Sequence, residues 1–172
     1  MSGLARFVGC LAIGAIVASV LVSIDLTATP AAPAAAANAA DWDAGYIIDD
    51  TIFYDSSSMD ANAVQSFLNA EVPTCAAAAY SCLKGYGVPT ETRAADRYCT
   101  SSYQGAAYQT AAQIIDGVAR ACGLNQRVLI TLLQKEQGLV TSTEPSSYAF
   151  AAATGMSCPD TAGCDPQFAG FF

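Results

Sequence analysis

Carboxylates are the side chains through which this sequence could do chemistry. No histidine occurs in its 172 residues. That removes Ser-His-Asp and Cys-His nucleophile systems and His-ligated metal sites. The carboxylate with the most informative setting is Glu136, in Val128-Leu129-Ile130-Thr131-Leu132-Leu133-Gln134-Lys135-Glu136-Gln137-Gly138-Leu139. At helical spacing Leu129, Leu132, Leu133 and Glu136 share one face, so Glu136 ends an apolar stripe. Gly138 is placed to stop the helix in a left-handed cap. A carboxyl at the edge of an apolar core loses hydration, which favours its protonated form and suits a general acid. The plainer alternative is a helix-end Glu that reaches solvent.

The elements that must position Glu136 follow from periodicity and capping. A helix from Asp60 to Ala70 is expected, with Asp60 as N-cap, a stripe of Val64, Phe67 and Leu68, and Pro73 as its stop. A second helix is expected over Thr110 to Cys122, with Ile114, Ile115, Val118 and Cys122 facing the core and Gly123 as C-cap. Asn125 caps the helix that carries Glu136, and the very short turn between these two makes them an angled pair. Trp42 to Tyr54 is expected to be extended chain with turns. Residues 75–108 and 140–165 read as loop-rich, an unusual length of irregular chain that calls for covalent support.

That support is available. Seven cysteines occur, and six of them, Cys75, Cys82, Cys99, Cys122, Cys158 and Cys164, lie beyond the N-terminal segment. An even set behind an export signal suggests three disulfides formed in an oxidising compartment. Spacing alone leaves the connectivity open. The pairing expected is the local one: Cys75–Cys82, Cys99–Cys122 and Cys158–Cys164. Zinc is the weaker alternative, since neither a C-x-x-C pair nor a histidine is present.

Residues 1–39 read as a signal peptide followed by an Ala/Pro-rich segment. Arg6 precedes an uncharged apolar run, Phe7 to Ile24, and Ala37-Asn38-Ala39 matches a small-x-small cleavage site. Cleavage after Ala39 or Ala40 is expected. The alternative is a retained membrane anchor at 7–24. Cys10 precedes most of the apolar run and so is a poor lipidation site. The domain reading is 1–39 for this segment, 40–104 for a loop-rich region with one helix, and 105–172 for a helical domain. The closing Phe168-Ala169-Gly170-Phe171-Phe172 needs a surface to bury against, and the sequence is read as continuing past it.

A net charge of −8 gives no electrostatic case for nucleic acid or for anionic surfaces. The acidic cluster Asp41, Asp43, Asp49, Asp50, Asp55 and Asp60 lacks EF-hand spacing and is read as a solvated surface instead of a calcium site. Trp42, Tyr46, Phe53 and Tyr54 are read as core or interface aromatics, with stacking on sugar rings as the alternative. No cofactor and no metal is expected.

The run from apolar helix to Glu136-Gln137-Gly138 resembles the catalytic helix end of the lysozyme-like superfamily. Its soluble lytic transglycosylases and glucosaminidases usually carry Glu-Ser-Gly there, so Gln137 is a departure. Ala153-Thr154-Gly155-Met156 is the candidate for the glycine turn that leads back to the cleft in those families. The resemblance covers about Thr110 to Phe172. The chain beyond residue 40 also resembles secreted, alanine-rich proteins of high-GC Gram-positive bacteria, often labelled haemagglutinin-like. It shares with them Gly45-Tyr46-Ile47-Ile48-Asp49-Asp50, Phe67-Leu68-Asn69, Leu132 to Val140 and Cys158-Pro159-Asp160-Thr161-Ala162.

These resemblances imply a mainly α (α+β), lysozyme-like, disulfide-stapled domain, secreted or associated with the cell wall. They imply cleavage of peptidoglycan glycan with Glu136 as general acid. Glu144, Asp160 or Asp165 would be the second carboxylate, and Gln137, Thr154 and Gly155 would line the cleft. A transglycosylase-like route needs only the one Glu. The alternative is a non-catalytic wall-binding or adhesion module on the same scaffold. The partner implied is cell-wall glycan, with membrane contact only if residues 7–24 are retained.

Overall fold

A computed structural model of the chain describes Ala40 and residues 43–76, 82–159 and 163–172. The signal-peptide reading of 1–39, and Asp41, Trp42 and Asp160, lie outside the described residues. Those from Asp43 onward belong to one compact unit. It is mainly helical, with one small sheet. The elements in order are α1 (Asp50–Phe53), α2 (Ala61–Glu71), a 3-10 turn (Leu83–Gly85), β1 (Gly87–Val88), β2 (Gln109–Thr110), α3 (Ala111–Cys122), α4 (Gln126–Gln137) and α5 (Ser147–Ala151). β1 and β2 pair antiparallel, with Gly87 opposite Thr110 and Val88 opposite Gln109. No helix among the described residues is long and apolar enough to cross a membrane.

Each main helix starts where a side chain can satisfy its open backbone donors. Asp60 accepts from the Ala63 N–H at 2.8 Å. At Thr110 a reciprocal capping box forms. Its hydroxyl accepts from Gln113 N at 3.3 Å, and the Gln113 side chain accepts from Thr110 N at 2.9 Å. Asn125 accepts from Arg127 N at 2.9 Å. Gly123 and Gly138 end α3 and α4 at φ +67° and +63°, where a residue without Cβ is unstrained.

α3 packs on both α2 and α4. The core joins Val64 and Leu68 of α2, Ala111, Ala112 and Ile115 of α3, Ile130 and Leu133 of α4, and Phe150 of α5. Burial of this apolar area, at about 25 cal/mol per Å², is the main stabilising term. Three disulfides hold the irregular parts: Cys75–Cys82, Cys99–Cys122 and Cys158–Cys164. They are the local pairs expected from the sequence.

Four expectations need correction. Asp50–Phe53 is a helical turn, not extended chain. Asp49 caps it, accepting from Thr51 N at 2.7 Å and Thr51 Oγ1 at 2.5 Å. The segment 140–165 contains α5, capped by Ser146 through Ala149 N at 3.1 Å. Phe67, placed in the core stripe, is instead exposed, because Val64 and Leu68 alone fill the contact with α3. Tyr46 and Tyr54, read as core or interface aromatics, are also exposed. They flank α1, whose own residues contribute no buried side chain.

Residues 52–59 are fastened to α3 and α4 by a polar knot around Gln126, which is fully buried. Its Nε2 donates to Ser56 O at 2.8 Å and to Asp116 Oδ1 at 2.9 Å. Its Oε1 accepts from Ser58 Oγ at 3.0 Å and Met59 N at 3.3 Å. Asp116 also holds Arg120 at 2.8 Å. A buried amide is tolerated because every one of these groups is paired.

Candidate functional site

Glu136 sits in the last turn of α4. Ile130 and Leu133 bury the preceding turns, while Leu129, Leu132 and Glu136 are half-buried. The helix exit is fixed by Gln134. Its Oε1 accepts from Val140 N and Thr141 N, both at 3.1 Å, and its Nε2 donates to Thr141 Oγ1 at 2.9 Å. Buried Leu139 and Val140 then anchor the chain beyond Gly138.

The Glu136 carboxylate lies directly on the backbone of Gly155. A Cβ built on Gly155 would stand 3.0 Å from Glu136 Cδ and still closer to Oε2. Gly155 has φ +67°, so a left-handed turn and a close approach both call for glycine here. The turn is set by α5. Ala152 and Ala153 are buried, and Gly155 N donates to Ala152 O at 2.8 Å. The two residues are thus brought together from opposite sides of a segment of irregular chain, and Thr154 sits exposed beside them.

From Gly155 an open depression of about 800 Å³ extends along Ser157, Cys158, Cys164 and Asp165. Cys158 N donates to Gly155 O at 3.4 Å, and Asp165 N donates to Ser157 O at 2.9 Å, so residues 157–159 and 163–166 on either side of the disulfide line the depression. Asp165 is exposed there, its Oδ1 accepting from Gln167 N at 2.9 Å. Glu144 is exposed and does not line the depression. Asp160 lies outside the described residues. Gln137 is half-buried next to Glu136.

The surroundings of Glu136 differ from the apolar edge expected from its stripe. Its side chain is 27% accessible, and Oε1 accepts from Lys135 Nζ at 2.7 Å. The final helical turn carries the carboxylate beyond Leu133 and out of the core, to where a neighbouring cation can reach it. Lys135 was readable only as a last-turn cation, because adjacent helix positions do not ordinarily face each other. Gln134 was hidden for the opposite reason: it reads as a neutral solvent-facing residue until the loop it holds is in place.

The remaining charged clusters have local duties. Asp49 also accepts a hydrogen bond from the Tyr46 hydroxyl, and its carboxyl is held down at about 2, first by the Thr51 hydroxyl, then by Tyr46 and the Thr51 backbone. Asp55 accepts from Ser57 N and Oγ at 3.0 and 2.7 Å. With Asp60 as a helix cap, these carboxylates organise turns instead of gathering around a common point. No cluster of three or more His, Cys, Asp or Glu suited to a metal occurs among the described residues.

The closing aromatics find their surface within the chain. The Phe171 ring meets Tyr86 at 5.4 Å, and Phe172 meets Tyr103 at 4.7 Å with the Arg93 guanidinium 5.1 Å from its centroid. Phe168 stays exposed. No family model, curated protein or solved structure matches this chain.

Proposed function

We propose that this is an exported cell-wall protein of lysozyme-like fold that cleaves peptidoglycan glycan with Glu136 as general acid. The observation that carries the reading is the contact of the Glu136 carboxylate with Gly155, at the head of an open depression. Glu136 is not itself among the residues that line the depression, but a glycosidic oxygen bound against Gly155 would lie beside its carboxyl, held between the end of a helix and a glycine turn. Protonation of the leaving oxygen is the step this group would perform. Asp165, which lines the depression, is the better placed of Glu144 and Asp165 to stabilise charge or orient water. The three disulfides support export, because such bonds persist in oxidising compartments.

One observation favours the second reading, a wall-binding or adhesion module without catalysis. The Lys135 ammonium already occupies Glu136 Oε1. A general acid must present its oxygen to the substrate, and the lysine bonded to that oxygen stands in the way. The pair is exposed on the lysine side, at 76% accessibility, so it is a weak restraint that a bound glycan could displace.

The test is release of soluble fragments from purified peptidoglycan. Glu136→Gln keeps size and most hydrogen bonding but has no transferable proton, so release should fall by roughly 10²-fold or more with folding unchanged. Binding of both proteins without release by either would select the second reading. Equal release by both would remove Glu136 from the chemistry.

A further inference from the structure

A second cavity, of about 310 Å³, is lined in part by Val118, Ala121 and Cys122 of α3, and neither of its charged side chains is in an ion pair among the described residues. Its walls include Arg93, Asp96, Tyr103, Val118, Ala121 and Phe172. The size is that of a small-molecule or short-peptide site. Most of the lining is apolar, with two charges of opposite sign at its edge. We infer that this cavity binds a short peptide bearing a carboxylate, an ammonium and small aliphatic side chains, with Arg93 as the carboxylate anchor.

Three features support this. Arg93 makes no ion pair with any carboxylate among the described residues, although acidic groups outnumber basic ones by 15 to 7 in the chain. Its backbone is fixed by an antiparallel bridge to Tyr103, with N···O distances of 3.1 and 2.9 Å, and its guanidinium rests over the Phe172 ring. A planar fork held over a ring and unpaired is arranged to take a carboxylate in two parallel bonds. Asp96 supplies the opposite charge. Its Oδ1 accepts from Cys99 N and Tyr98 N, both at 2.7 Å, and these bonds hold its carboxyl below the usual range. Its other oxygen accepts no hydrogen bond among the described residues and can take an ammonium.

Between these charges Val118, Ala121 and the aromatic rings offer contact for methyl groups. Val118 and Phe171 also line a smaller cavity of about 80 Å³, whose walls include Leu129, Leu132 and Thr154.

Resting on the function proposed above, the ligand is the stem peptide of peptidoglycan, which joins alanine methyls, a diamino acid and free carboxylates. Arg93 would then make the protein select peptide-substituted glycan over bare glycan. The experiment titrates the whole protein, in a Glu136→Gln background, with a soluble stem pentapeptide and with a peptide-free chitooligosaccharide, followed by calorimetry and amide chemical shifts. Arg93→Gln should weaken the pentapeptide tenfold or more and leave the oligosaccharide unchanged. Arg93→Lys, which keeps the charge but not the fork, should fall between. Acetylating the peptide's amine should weaken binding in wild type and have no further effect in Asp96→Asn. A pentapeptide that does not bind, or that binds Arg93→Gln as well as Arg93, overturns the inference even if the protein cleaves glycan. Arg93-dependent peptide binding without any glycan cleavage leaves it standing and removes the hydrolase reading instead.

Discussion

Gly155→Ala separates a backbone effect from a site effect because the molecule contains its own control. Gly123 and Gly155 share φ +67°, so an alanine at either pays the same left-handed penalty, about 1–2 kcal/mol. At Gly123 a new Cβ meets nothing within 4 Å, whereas at Gly155 it meets the Glu136 carboxylate. The obstructing atoms are the end of a flexible side chain tied only to an exposed lysine. Glu136 should therefore move instead of the backbone, retreating about 1 Å to reach ordinary contact distance. The stability cost of the two variants should then agree within about 0.5 kcal/mol, a matched fall of several degrees in melting temperature. Their activities should not agree. A misplacement near 1 Å costs roughly 10²-fold in rate, so Gly155→Ala should lose most peptidoglycan release and Gly123→Ala should keep it. A readout independent of catalysis is the side-chain carboxyl ¹³C shift of Glu136, which should move in Gly155→Ala and stay in Gly123→Ala. An unmoved shift in both variants, or equal loss of activity in both, would show that the new Cβ does not displace Glu136 from a working position.

The other expectations concern the frame. Gln126→Ala leaves Met59 N and Ser56 O without their partner, while Ser58 Oγ keeps Asn125 Oδ1, and at ~1–3 kcal/mol per orphaned group the loss should reach ~2 kcal/mol or more in urea denaturation. A loss under ~1 kcal/mol would mean that the knot is hydrated. Asp49 has a depressed folded-state pKa, so its stabilisation of the α1 turn is complete above its unfolded value of 3.8 and disappears as pH falls through about 2. The Thr51 amide resonance should follow that low midpoint, and a midpoint near 3.8 would show that the cap does not form.

The frame was readable in the sequence where one residue settles one local question. Asp60, Thr110, Asn125 and the two cap glycines mark helix ends because backbone donors and acceptors there have few other solutions. Local cysteine pairing succeeded for a related reason, since short loops bring sulfurs together at small entropic expense. α1 and α5 escaped notice because each is about one turn long, too short for periodicity, and each depends on a single Asx or Ser cap. Phe67 was misplaced because a helical stripe gives a direction but not a width: the contact with α3 closes over Val64 and Leu68 before it reaches the ring.

The candidate site divides along the same line between local and distant information. Glu136 was marked by its own neighbours, an apolar helix with a glycine stop, whereas Gly155 was marked only by the resemblance of Ala153-Thr154-Gly155-Met156 to a glycine turn of the lysozyme-like families. Their contact spans 19 positions of chain and depends on α5, which the sequence hid. Lys135 and the Gln134 clamp are invisible for a further reason: polar residues in a last helical turn have many partners available, and tertiary structure chooses among them. The same holds for Arg93. In a chain this acidic, an arginine would be expected to find a carboxylate, and composition alone would place it in an ion pair. The fold instead seats it over Phe172, on the wall of a cavity that shares Val118 and Phe171 with a smaller one reaching Thr154. Tertiary structure, and no local sequence signal, leaves Arg93 without a carboxylate partner among the described residues.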